Sequence, residues 1–304
     1  MRVFVTGASG FIGSSVVTEL QRAGHKVTGM ARSPASADGL TALGAEVTLA
    51  SLADAGSLHA AAAASDGVIH LAYRHGEPPA AAAATDRQVI ETLGNALAGS
   101  GKPLVVTSGT LVLPAGRVGT ESDATDPAAP AAARVPSERA ALALAKQGVR
   151  TSVVRLAPCV HERVKRGFAG ALVDAARRSG FAGYLGIGSQ RWPALHRQDA
   201  ATLYRLAVEQ APAGTVLHGV GEPGVPLLAI AEVVATGLGV PVRQVPADQA
   251  KEYFGWLADL AAIDAPASSA ATRSLLGWEP DHPGLLDDLA HGDFFQGPSN
   301  EIHI

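Results

Sequence analysis

The sequence predicts an α/β protein, a doubly wound parallel sheet with a smaller C-terminal substrate-binding region. Three observations carry this reading. Short apolar segments alternate with amphipathic ones from the start to about residue 156, the pattern of parallel strands joined by crossover helices. Glycines fall where the helices should stop, at Gly24, Gly44, Gly99 and Gly148. The first strand also runs into its helix through Gly7, Gly10 and Gly13, the spacing of a Rossmann dinucleotide turn.

The first strand is expected at 2–6 and its helix at 11–23, apolar at Phe11, Ile12, Val16, Val17 and Leu20. Gly7 suits the sharp turn, Gly10 allows phosphates close to the backbone, and Gly13 allows the helix to pack closely on the sheet. Free N–H groups from Gly10 through Phe11 to Ile12 would face the phosphate oxygens. The second strand, 26–30, ends in Ala31-Arg32-Ser33, without the acid that meets the ribose hydroxyls of NAD. Arg32 and Ser33 suit a 2′-phosphate held by charge-assisted hydrogen bonds, so NADP(H) is the expected cofactor.

Strands then follow near 46–49, 67–71, 103–107 and 150–156, with helices near 37–43, 55–64, 80–98 and 135–147. The segment 114–136 holds Pro114, Pro127, Pro130 and Pro136 and reads as a loop over the ligand edge of the sheet, a partly mobile lid. Past residue 157 the alternation loosens into helices near 168–179, 197–210, 227–237 and 249–262, with short strands at 215–219 and 241–245. The expected division is an NADP-binding domain over 1–160 and a mainly substrate-binding subdomain over 161–304.

With 304 residues, 47% of them hydrophobic, the chain supports a sizeable core. Its net charge of −4 comes from 24 basic and 28 acidic residues with no long run of either sign. That leaves no footprint for nucleic acid or an anionic membrane, and no apolar stretch spans a bilayer. A small-molecule substrate is expected. A first strand at Arg2 leaves no place for a leader, so the expected compartment is the cytoplasm. The lone Cys159 forms no internal disulfide and reads as a small buried filler. Trp192 reads as pocket wall or core, and the histidines lack ligand spacing, so no metal site is expected.

Five segments occur in a telling order: Thr6-Gly7-Ala8-Ser9-Gly10-Phe11-Ile12-Gly13, His70-Leu71-Ala72, Val105-Val-Thr-Ser108-Gly-Thr110, Ser152-Val-Val-Arg155-Leu, and Leu275-Leu-Gly277-Trp278-Glu-Pro280. Together they resemble an extended short-chain dehydrogenase/reductase, in an atypical branch with an epimerase/dehydratase-like sequence, over nearly the whole chain. The resemblance implies that Leu71 and Ala72 touch cofactor and that Thr107 and Ser108 face the reacting centre. Departures from the family pattern are specific. The acid that meets adenine after the third strand is replaced by Ser51, beside Leu52, which implies a weaker or main-chain contact. Arg134 and Glu138 stand where the catalytic Tyr and Lys belong, and Asp86 stands for the Asn of the fourth helix.

The mechanism changes with them. Guanidinium keeps its proton, so Arg134 can hold a developing alkoxide but cannot protonate it. An Arg134–Glu138 ion pair one turn apart, worth a few tenths of a kcal/mol, is the bland alternative. Proton donors are then sought at His161, His196 and Tyr73, with Ser108 orienting the reacting oxygen. The favoured reading is an NADP-dependent oxidoreductase acting on a carbonyl, hydroxyl or activated double bond of a small organic metabolite. Its rivals are a nucleotide-sugar epimerase or dehydratase, which needs the missing Tyr, and a non-catalytic NADP(H) sensor. Ala-rich faces of helices 80–98 and 134–147 offer a contact for a homodimer.

Overall fold

In the computed structural model, which describes residues 1–296, the chain begins with a regular strand–helix alternation. The strands are β1 (Arg2–Thr6), β2 (Lys26–Ala31), β3 (Glu46–Leu49), β4 (Gly67–His70), β5 (Pro103–Gly109) and β6 (Arg150–Leu156). Between them lie α1 (Phe11–Arg22), α2 (Pro34–Ala42), α3 (Ala55–Ala64), α4 (Pro79–Leu97) and α5 (Val135–Ala143). Then come β7 (Cys159–His161), α6 (Gly167–Ser179), β8 (Ala182–Leu185), β9 (Arg191–His196), α7 (Arg197–Gln210), β10 (Thr215–Gly219), β11 (Glu222–Pro226), α8 (Leu227–Leu238) and β12 (Val242–Val245). Four short helices close the described chain: α9 (Ala250–Phe254), α10 (Ala258–Ala261), α11 (Ala270–Leu276) and α12 (Leu285–His291).

Seven parallel strands form the main sheet in the order β3-β2-β1-β4-β5-β6-β10. The chain reverses direction between β1 and β4, and ligands bind at such a switch point, outside the strands' carboxyl ends. Both faces are covered, so successive residues of β1 enter different cores. Val3 and Val5 pack with Leu20 and Tyr204 on the α1/α7 side, while Phe4 packs with Ile90, Leu93 and Val106 on the α4/α5 side.

Local chemistry explains where the elements begin and end. The second helix starts at Pro34, three residues before the expected 37, because Ser33 and Ser36 form a reciprocal capping box and Pro34 suits the first helical position. α5 stops at Ala143, and residues 144–147 tighten into a 3-10 turn that ends on Gly148 at φ +74°. The single helix expected over 249–262 is instead α9 and α10, separated at Gly255, whose φ is +58°.

Beyond β6 the chain does not leave the sheet for good. α7 packs on α1 and β10 adds the seventh strand, so residues past 160 complete the nucleotide-binding sheet. The rest forms a three-stranded sheet, β11-β9-β7, and a two-stranded pair, β12-β8, around a separate core. Trp192 lies fully buried in that core and donates Nε1–H to the Leu260 carbonyl at 3.2 Å. The 114–136 segment is tied down rather than loose. Gly116 and Gly119 donate to the carbonyls of Asp264 and Pro266 at 2.7 and 2.8 Å, and Ala131 donates to that of Leu111 at 3.1 Å. Among the described residues no helix is long and apolar enough to cross a membrane.

Candidate active site

The glycine turn has the shape its sequence suggests. Gly7 has φ +69°, and a Cβ there would lie 2.7 Å from the Ala72 nitrogen. A Cβ on Gly13 would lie 2.0 Å from the Gly7 carbonyl oxygen, a clash only glycine avoids. Gly10 is exposed, and a Cβ on it would meet only that same oxygen, at 3.1 Å. As N-cap of α1 it supplies no side-chain acceptor, which leaves the first-turn N–H groups for an anion. Phe11 and Ile12 are half-buried. The Arg197 and Arg166 guanidiniums approach the Phe11 ring at 4.7 and 6.0 Å, and Arg197 also donates to Ser14 Oγ at 2.7 Å. An uncapped helix end, a cradle that a Cβ would fill and a nearby guanidinium fit a dinucleotide pyrophosphate.

At the adenosine end, Arg32 sits exposed just past β2 and has no hydrogen bond or ion pair among the described residues. Ser33 is exposed too, but its hydroxyl accepts the Ser36 N–H at 3.3 Å as the cap of α2. Ser51 Oγ accepts the Ala53 N–H at 3.3 Å, and Leu52 packs on the α4/α5 core. Leu71 and Ala72 are half-buried, and Ala72 donates its N–H to Thr6 Oγ1 at 3.3 Å.

Thr107 and Ser108, consecutive on β5, point to opposite faces of the sheet. The Thr107 hydroxyl donates to the His70 carbonyl at 2.8 Å and accepts from Tyr204 Oη at 2.7 Å. Ser108 is 5% exposed and its Oγ has no partner among the described residues. Arg134 donates from Nη2 to the Thr107 carbonyl at 3.0 Å, its guanidinium lies 4.0 Å from the centre of the Tyr73 ring, and its buried Nε has no partner among the described residues.

The Arg134–Glu138 pair does not form. Glu138 turns inward to Arg155 of β6, which donates from Nε at 3.2 Å and from Nη2 at 2.5 Å, both side chains being 3% exposed. The acid at the family's Lys position is thus neutralised by an arginine from another element.

Asp86 of α4 binds His70 Nε2 through Oδ1 at 3.2 Å, and His70 Nδ1 meets Thr6 Oγ1 at 2.7 Å. Burial would raise the Asp86 carboxyl, but the hydrogen bond and charge of His70, with Arg134, outweigh it and hold it below the usual carboxylate range. Burial raises the Tyr73 phenol, and Arg134 opposes that rise. His75, which the sequence reading passed over, meets Tyr73 edge-on at 5.0 Å, and burial followed by Arg134 lowers its pKa. Its only sequence signal is its place two residues beyond Tyr73, on the same loop.

His161 and His196 are cross-strand neighbours on β7 and β9. His161 Nδ1 meets Asp288 Oδ2 of α12 at 2.8 Å, and His196 Nε2 lies 3.6 Å from the same oxygen. His196 Nδ1 accepts the Gln198 N–H at 3.2 Å as the cap of α7, and its ring stacks on His282 at 4.7 Å and 4°. None of these contacts reaches Ser108, Arg134 or Tyr73. His196, Asp199 and His282 bring ligand atoms within 4.8 Å of one another. The two rings, however, are stacked and parallel, so their in-plane lone pairs do not converge on one point. Asp199 also already accepts from the backbone of Asp281 and His282 and from the His282 ring, so the group clasps a loop. Burial pushes the Cys159 thiol up to about 12, which suits a packed filler.

A glycine cradle leading out of β1, with Ser108 Oγ and Arg134 Nε unpaired among the described residues beside the end of β5, defines an enzyme of the short-chain dehydrogenase/reductase type, built for a nicotinamide dinucleotide. Residues 3–218 match the NAD dependent epimerase/dehydratase family, and the chain belongs to it. It is 42% identical to the uncharacterized protein C2A9.02 of Schizosaccharomyces pombe, over 97% of this chain and 100% of that one. It is 40% identical to the uncharacterized protein YLL056C of Saccharomyces cerevisiae, over 95% and 98%. Among solved structures it resembles MoeE5 in complex with UDP-glucose and NAD, at 25% identity and a TM-score of 0.75, covering 95% of this chain and 96% of that one.

Proposed function

We propose that the protein is a cytoplasmic NADP-dependent oxidoreductase that acts on a carbonyl, hydroxyl or activated double bond of a small organic metabolite. The observation that carries this reading is the pair of buried, partnerless donors, Ser108 Oγ and Arg134 Nε, beside the end of β5. Buried polar groups without partners are costly in a folded chain, and a substrate oxygen would satisfy both. When bound, the dinucleotide supplies or accepts hydride. Ser108 then orients the reacting oxygen, and Arg134 stabilises the negative charge that grows on it. Arg32, free at the end of β2 with no acid beside it, supports NADP over NAD.

The family and the UDP-glucose bound by MoeE5 favour a second reading, a nucleotide-sugar epimerase or dehydratase. Arg134 and Glu138 in place of Tyr and Lys weigh against it. One experiment separates the two. Purified protein with NADPH is offered small ketones, aldehydes and enones, and protein with NAD⁺ or NADP⁺ is separately offered UDP- and dTDP-sugars, with cofactor absorbance and product both followed. Stoichiometric loss of NADPH with the first set supports the proposal. Conversion of a sugar nucleotide without net cofactor loss supports the second reading, and tight NADPH binding with no turnover in either set leaves a sensor.

A further inference from the structure

The Tyr-x-x-x-Lys pair of this family puts two functions on one helix, a phenol that gives the proton and a cation beside it. This chain has neither residue there, yet both functions meet in space. Tyr73 follows His70-Leu71-Ala72 at the carboxyl end of β4, and Arg134 opens α5 and is pinned to the Thr107 carbonyl on the adjacent strand β5. The guanidinium lies 4.0 Å from the phenol ring centre, within cation–π range. The buried phenols of Tyr204 and Tyr253 are both engaged, with Thr107 and with the Phe181 carbonyl, whereas Tyr73 Oη has no hydrogen bond among the described residues. Ser108, one residue beyond Arg134's anchor, is with Thr110 one of two buried hydroxyls there that have no partner among the described residues.

We propose that Tyr73 is the catalytic proton donor and that Arg134 is its charge-setting partner, the family's phenol–cation couple rebuilt from two separate elements. The proposal rests on the oxidoreductase reading above. In the reductive direction the substrate carbonyl carbon takes up hydride from the reduced nicotinamide, and the C=O π pair moves to oxygen. That oxygen takes the proton of Tyr73 Oη while Ser108 holds it in place. The phenolate left behind is stabilised by Arg134, which keeps its own proton, and regains a proton from water. The sum is carbonyl, reduced cofactor and one proton in, alcohol and oxidised cofactor out. The charged and titratable groups around Tyr73 are Arg134 from the start of α5, Asp86 from α4 and His75 from its own loop. Of these Arg134 is the one that favours phenolate.

The test has two readouts. In the protein without cofactor, phenol ionisation is followed by ultraviolet difference absorption, and subtraction of the Tyr73→Phe trace assigns Tyr73 among the four tyrosines. Burial raises the phenols of Tyr73, Tyr204 and Tyr253 alike, so the subtraction of the Tyr73→Phe trace is what separates Tyr73 from the others. Arg134→Gln should raise the Tyr73 midpoint by about one pH unit, and Arg134→Lys should leave it close to wild type. In the active protein, Tyr73→Phe should lower turnover about 10²–10⁴-fold with NADPH affinity unchanged. A Tyr73→Phe enzyme at wild-type turnover, or a Tyr73 midpoint indifferent to Arg134→Gln, overturns this inference while the oxidoreductase reading stands. Wild-type protein that turns over nothing overturns both.

Discussion

Arg32 illustrates how much rests on one exposed side chain. A guanidinium past the second strand, with no neighbouring acid, gains from a 2′-phosphate and loses little when the phosphate is absent. Arg32→Ala should therefore weaken NADPH binding about tenfold and leave NADH binding nearly unchanged. Paired fluorescence titrations measure this, and equal losses for both cofactors would take Arg32 out of the phosphate site. The glycines allow a sharper comparison. A Cβ at position 13 would stand 2.0 Å from the Gly7 oxygen, so Gly13→Ala must displace backbone and should cost about 3 kcal/mol of stability or more. At position 10 the only neighbour is the Gly7 oxygen at 3.1 Å, which must give by a few tenths of an ångström, so Gly10→Ala should cost much less stability in urea than Gly13→Ala but lose dinucleotide affinity, because its methyl stands where phosphate must approach. These glycines are legible in sequence because each acts on backbone a few residues away. Glu138 is not, since its partner Arg155 lies 17 residues on and only the fold brings them together.

At the scale of elements, that buried pair fastens α5 to β6, and breaking it should be expensive. Glu138→Gln leaves the Arg155 guanidinium buried without its countercharge, at a cost of roughly 3–5 kcal/mol. Chemical denaturation measures it, and a loss below about 1 kcal/mol would show that the Asp123 carbonyl and His218 suffice as partners for Arg155. What could be read of the elements follows the same logic of range. β1, β4 and β5 were legible as buried apolar runs bounded by turn residues, β2, β3 and β6 from their place in the strand–helix alternation, and most of the helices between them from periodicity and terminal glycines. β7, β8, β9 and β11 were not. They are three to six residues long, and β11 is broken by a bulge, so their pairing rests on partners far along the chain. The early start of α2 was legible in principle, since Ser33-Pro34 is a cap followed by a first-position proline. The prolines of 114–136 marked a loop correctly, but nothing local shows that residues 264 and 266 hold it down. Likewise Arg134 and Tyr73 are 61 positions apart in sequence, and their contact arises because β4 and β5 are neighbours in the sheet.

Over the whole molecule, the joints between the nucleotide-binding sheet and the C-terminal region carry buried imidazoles, which ties the assembly's stability to pH. His218 on β10 is fully buried with Nδ1 against the Ser268 carbonyl at 2.8 Å, and His196 ends β9 at 8% exposure. Burial is the largest influence on both and lowers the pKa of each below the usual 6.5. The sign follows from linkage. Above about 6.5 both residues are neutral in the folded and unfolded chain and contribute nothing. As pH falls through that value the unfolded chain takes up protons that the folded chain refuses, so stability drops until the lowered folded pKa values are reached. The slope cannot exceed about 1.4 kcal/mol per pH unit for each histidine. Asp86 works in another window. Its lowered carboxyl favours the folded state above about 3.9 and loses that benefit only in stronger acid. Urea unfolding at fixed ionic strength should therefore show stability falling from pH 7 to 5, and His218→Gln should flatten the slope toward that of a single histidine. A curve that is flat, or that rises on acidification, would mean that Asp288, Glu121 and Glu138 around these rings outweigh their burial. The joints would then be held by charged imidazoles rather than neutral ones, and His218→Gln would cost more stability at pH 5 than at pH 7.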